Sequence, residues 1–144
     1  MAEVMLNHLG RGRFHAFSAG SRPTGMVNPF SLEALAEMGI DARDVRSKSW
    51  DEFAGTTAEP IDLVITVCDN AAGEPCPIWP GHPLTAHWGV DDPAAAQGND
   101  EAKRAAFRLA AQALRRRVER LLEIPVERLD AAQLRAELRA IGRS

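Results

Sequence analysis

The strongest constraint on this chain is the run Leu63-Val64-Ile65-Thr66-Val67, which stops at Cys68. It is short, rich in β-branched side chains and nearly continuously apolar. That combination predicts a strand buried on both faces, as in a parallel sheet. Asp69-Asn70 break the run and open a loop. A second strand is predicted over Leu84–Val90, ending at Asp91-Asp92-Pro93. In open α/β sheets, ligands sit beyond the carboxyl ends of the strands. Cys68 and Asp92 therefore both stand where such a fold places chemistry.

The rest of the chain reads as elements that would flank this pair. MAEVMLNHLG predicts a helix with Gly10 as its stop. Phe14–Ser18 reads as a short strand and Ser21–Gly25 as a turn. Asn28-Pro29 caps a second helix, because proline is favoured at the first helical position; Leu32, Leu35, Ala36 and Met38 would face inward and Gly39 would end it. Ser49–Phe53 fits a single helical turn. Asn99 or Asp100 caps a long helix to about Glu123, with Ala102, Ala106, Leu109, Ala113, Val118, Leu121 and Leu122 as its apolar stripe and Pro125 as its end. Asp130 caps a last helix with Leu134, Leu138 and Ile141 on one face and Gly142 after it. The order α-β-α-β-β-α-α predicts an α/β layered fold, and 144 residues make one domain, 1–144, large enough for a core.

Charge excludes some partners. A net charge of −3 leaves no electrostatic footprint for nucleic acid or an anionic membrane. The one basic run, Arg115-Arg116-Arg117, lies in a helical pattern and reads as a solvated face. No apolar stretch reaches the roughly 18 residues of a membrane span, and Met1-Ala2-Glu3 lacks the features of a signal peptide. The expected location is the cytoplasm, where a pair of cysteines is more often reactive or metal-binding than a structural disulfide.

Cys68 and Cys76 are the chain's two cysteines, with Ala71-Ala72-Gly73 in the loop between them. Their spacing leaves three readings open. They could be buried as small hydrophobes. They could form a disulfide that an external thiol opens; Asp69 and Glu74 would raise nearby thiol pKa values, so activation would come from elsewhere, such as a helix N-terminus. Or they could join His82 and His87 around zinc, although C-x7-C and H-x4-H are not the spacings of common structural zinc modules. Asp92 precedes Pro93, which forces an extended backbone. Such an aspartate is ordinary turn chemistry or, aimed into a site, a general acid. His87 reads as a core or turn histidine, and Trp79-Pro80-Gly81 as an apolar turn.

VCDNAAGEPCPIWPG followed by HWGVDDPA resembles the arsenate reductases built on the low-molecular-weight protein tyrosine phosphatase fold, and MAEVMLNHLG with FSAGSRPTGMVNP is similar to the same family. The resemblance covers nearly the whole chain. It implies a three-layer α/β/α fold with a short parallel sheet and an arsenate or phosphate-like oxyanion as substrate. Cys68 matches the second thiol of a disulfide cascade, Cys76 the third thiol, and Asp92 the acid that protonates the departing oxygen. No bound cofactor or structural metal is implied; the reductant is an external thiol, thioredoxin or glutathione with glutaredoxin. Some relatives bind potassium near residues matching Glu3 and Ser18. Phosphatases of this fold usually lack the cysteine pair and carry a tyrosine in the acid loop; this chain has no tyrosine.

One departure from the pattern is large. The family's first strand ends in a Cys-x5-Arg loop that leads into a helix containing Met-Ala-Glu, and here those three residues are Met1-Ala2-Glu3. Six positions after Cys68 and Cys76 stand Glu74 and His82. The expectation is an N-terminally truncated domain whose first central strand is missing, between the segments Phe14–Ser18 and Leu63–Val67. It would carry a three- to four-stranded sheet disturbed at that slot, or make a strand-swapped dimer. Two other readings are a tyrosine phosphatase, which the cysteine pair disfavours, and a non-catalytic remnant or oxyanion- or metal-binding module.

Overall fold

The computed structural model describes residues 1–20, 25–42, 45–53, 61–68 and 83–143, with Cys68 described by its backbone alone. Residues 69–82, with Cys76, Trp79 and His82, and residues 21–24 of the expected turn Ser21–Gly25 lie outside the described residues. Helix α1 spans Ala2–Gly10. It ends at Gly10, its expected stop, after which Arg11 turns left-handed at φ 48 and Gly12 follows at φ 83. Helix α2 spans Pro29–Glu37, with the Asn28 side chain accepting from the Phe30 amide. Gly39, at φ 73, reverses the chain after it, a conformation glycine adopts without penalty. Ser31, Ala34 and Leu35 are its buried residues; Ala36 faces solvent.

Strands β1 (Leu63–Cys68) and β2 (Leu84–Val90) pair in parallel as expected, Leu63 opposite Leu84 and Thr66 opposite His87, but the side chains of residues 63–67 are half-buried rather than buried on both faces. A register irregularity falls between Thr66 and Cys68, after which Cys68 stands opposite Val90. Among the described residues the sheet has these two strands. The expected strand at Phe14–Ser18 is not formed. A strand needs a neighbour's ladder, and here the amide and carbonyl of Ala16 are taken by the Asn7 side chain, at 2.8 and 3.0 Å. Gly20, past the end of that segment, makes an isolated parallel bridge to Ser49. A cavity of about 590 Å³ is lined by Phe14, Ala16 and Phe17 of the Phe14–Ser18 segment and by Leu63, Ile65 and Val67 of β1, among others.

Helix α3 (Asp100–Glu123) is capped by Asn99, whose side chain accepts from the Ala102 amide. Its buried stripe is Phe107, Ala110, Ala111, Leu114, Val118 and Leu121, a rising i, i+3, i+4 series. Leu109 lies off that stripe and is 68% exposed, contrary to its expected place. Helix α4 (Ala131–Gly142) opens with a full capping box between Asp130 and Gln133. Leu138 and Ile141 are fully buried in one core with Met5, Leu35, Trp88 and Leu121. A 3₁₀ turn at Trp50–Phe53 matches the expected single turn.

Candidate active site

Parallel pairing fixes where the chemistry-bearing residues go. Both strands run the same way, so both carboxyl ends emerge at one edge of the sheet. There the backbone of Cys68 lies opposite Val90, two residues before Asp92. Asp92 is extended, at φ −68 and ψ 109, as a residue before proline must be. Its Oδ1 accepts from the Ala94 amide at 3.0 Å and caps the 3₁₀ turn Pro93–Ala95. The residue is exposed at this edge of the sheet.

The backbone that presents Asp92 is clamped from below. The indole of Trp88, 2% exposed, donates to the Leu138 carbonyl at 3.0 Å. Arg117 Nη1 donates to the carbonyls of Trp88 at 2.7 Å and Gly89 at 3.0 Å. Arg117 is 9% exposed, so it does not belong to a solvated basic face. Sequence spacing hid this: three consecutive arginines point in three directions on a helix, and one of them had to turn inward along the Leu114–Val118 stripe. On the other side, a Cβ on Gly142 would come within 2.5 Å of the His87 carbonyl oxygen. Glycine is what lets α4 approach β2 so closely.

His87 is exposed and its Nδ1 lies 2.7 Å from the Thr66 hydroxyl, its cross-strand partner. The zinc reading would need Cys76 and His82, which lie outside the described residues. Among the described residues no group of three or more His, Cys, Asp or Glu could hold a metal ion, and no helix is long and apolar enough to cross a membrane.

The Glu3–Ser18 pair is assembled, but in a form that does not fit a potassium ion. Ser18 donates its hydroxyl hydrogen to Glu3 Oε2. The ammonium of Lys48 sits 3.5 Å from the same oxygen, and the two charged side chains are 6% and 14% exposed. The carboxylate already has its cation. Nothing in the sequence pattern singled out Lys48, because the contact joins residues 45 positions apart.

The family model for low molecular weight phosphotyrosine protein phosphatases matches residues 1–139. An arsenate reductase of Bacillus licheniformis is 39% identical over 116 residues, covering 81% of this chain and 79% of the relative. One from Halalkalibacterium halodurans is 38% identical, covering 74% and 73%, and one from Bacillus subtilis is 37% identical, covering 74% and 73%. Among solved structures, an arsenate reductase in the reduced state superposes with a TM-score of 0.59 at 25% identity, covering 85% of each chain. The arsenate reductase of Archaeoglobus fulgidus shares the fold, with a TM-score of 0.63 at 24% identity over 85% of this chain and 88% of that one. A chain whose two parallel strands end at one edge, one in a cysteine and the other in an Asp-Asp-Pro turn, and which is matched almost throughout, thus belongs to the low molecular weight phosphotyrosine protein phosphatase family, with the arsenate reductases among its relatives.

Proposed function

We propose that this chain carries part of a thiol–disulfide cascade that reduces arsenate to arsenite, with Cys68 and Cys76 as the second and third thiols and Asp92 as the acid. A first thiolate, held in a Cys-x5-Arg oxyanion loop, bonds to arsenic while Asp92 protonates the oxygen that leaves as water. The Cys68 thiolate then attacks the sulfur of that adduct. A disulfide forms, the sulfur–arsenic bond breaks, and its electron pair stays on arsenic, which departs as arsenite. Cys76 attacks the Cys68 sulfur, freeing the first thiolate and moving the disulfide to Cys68–Cys76. An external dithiol, thioredoxin or glutaredoxin with glutathione, reduces it. The observation that carries the reading is the parallel register that brings the Cys68 backbone and the Asp92 turn to one sheet edge.

The first thiolate is not among these 144 residues, since neither cysteine is followed by arginine six positions on. The cavity beside β1 supports a place for the strand that would deliver it. A polypeptide of these residues alone is expected to release no arsenite above background, yet to form an intramolecular Cys68–Cys76 disulfide on mild oxidation, seen by mass spectrometry. Extending it ahead of Met1 with a strand and a Cys-x5-Arg loop is expected to give arsenite release that Cys68→Ser abolishes. Turnover that survives Cys68→Ser, or two thiols that only form intermolecular disulfides, would overturn the cascade and favour cysteines packed as hydrophobes.

A further inference from the structure

Three segments meet at the Glu3 carboxylate: the first turn of α1, the extended segment ending at Ser18, and the stretch 45–49. The last two are held together by backbone bonds, Gly20 amide to Lys48 carbonyl and Trp50 amide to Gly20 carbonyl, both 3.0 Å. A carboxylate with a 14% exposed side chain, in a junction of this kind, has lost most of its hydration. It needs a cation and hydrogen bonds in compensation. Ser18 supplies one hydrogen bond and Lys48 the charge. Two other cations lie near: Arg46 is engaged with Glu52 at 2.6 Å, and the Met1 ammonium also feels the Glu3 charge.

From this geometry we propose that Lys48 is a tethered substitute for a free monovalent cation, so that the stability of this protein does not depend on potassium. An ammonium and a potassium ion carry one charge and are similar in size, so one occupant excludes the other. A free ion must be recruited from solution at each folding event, and its stabilisation grows with the logarithm of its concentration. A lysine is delivered by the chain itself, already pinned through its carbonyl to Gly20.

The test compares thermal unfolding in potassium chloride and in choline chloride at equal ionic strength. The wild-type chain is expected to unfold at the same temperature in both. Lys48→Ala opens the space and leaves Glu3 without its partner; its Tm should fall by roughly 10 °C in choline chloride and recover in part in potassium chloride. Lys48→Met keeps the stem in place, so it should lose stability without potassium rescue. A wild-type Tm that rises with potassium would overturn the proposal and needs no variant to be folded. So would a Lys48→Ala protein that responds equally to both salts, or a Lys48→Met protein that potassium rescues.

Discussion

Arg117 holds the backbone at the end of β2, just ahead of Asp92. Its guanidinium satisfies two carbonyls at the end of β2 that burial keeps from water. Arg117→Met would retain the packing of the stem and remove both donors. The expected loss is about 2–4 kcal/mol, because buried acceptors are left without partners, and urea unfolding would measure it. Asp92 itself was legible from two adjacent letters, because proline restricts its neighbour locally. Arg117 and Lys48 were not, since their roles come from contacts with residues 28 and 45 positions away, which no local pattern encodes.

The elements that sequence revealed are those whose signals are local. Asn28-Pro29, Asn99 and Asp130 all cap helices where a side-chain oxygen beside the first turn predicts it. The two strands followed from composition and length. Phe14–Ser18 did not, because an extended segment becomes a strand only when a neighbour offers a ladder, and here Asn7 takes up the polar groups of Ala16. The face of α3 was misjudged at Leu109 because alanines on all sides blur the apolar stripe. Helix α4 shows the opposite case, a single residue deciding how an element docks. Gly142→Ala would raise helix propensity by up to about 1 kcal/mol. A new methyl 2.5 Å from the His87 carbonyl, with Trp88 Cδ1 at 3.1 Å, would push the helix off the strand. Overpacking against backbone outweighs propensity, so a net loss of about 1–3 kcal/mol is expected, read as a lowered denaturation midpoint.

Across the whole molecule, charge pairs join segments far apart in the chain. Arg108 grips Glu37, tying α3 to α2, and Arg13 bonds to Glu127 as well as to the Leu122 and Ile124 carbonyls at the end of α3. Hydrogen bonds from these arginines hold the Glu37 and Glu127 carboxyls below the ordinary value of 4.5, as Arg46 does for Glu52. A depressed folded-state pKa means that the folded protein binds these protons less readily than the unfolded chain. Their contribution is therefore complete above the unfolded value and disappears as pH falls from about 4.5 through the folded values. Stability is expected to drop over that acidic window, and added salt should shrink the drop, because all three carboxyls face solvent. Urea midpoints taken across the window at low and high salt would show it.

The bond between the Trp88 indole and the Leu138 carbonyl has an optical consequence. With no tyrosine in the chain, near-ultraviolet emission comes from Trp50, Trp79 and Trp88 alone. Trp88 is shielded because α4 lies over it, with its ring nitrogen held by that helix. Any opening that lifts α4 from β2 would bring water to the indole and shift its light to longer wavelength. The same contact that steadies the Asp92 turn thus makes the docking of the last helix visible without a label.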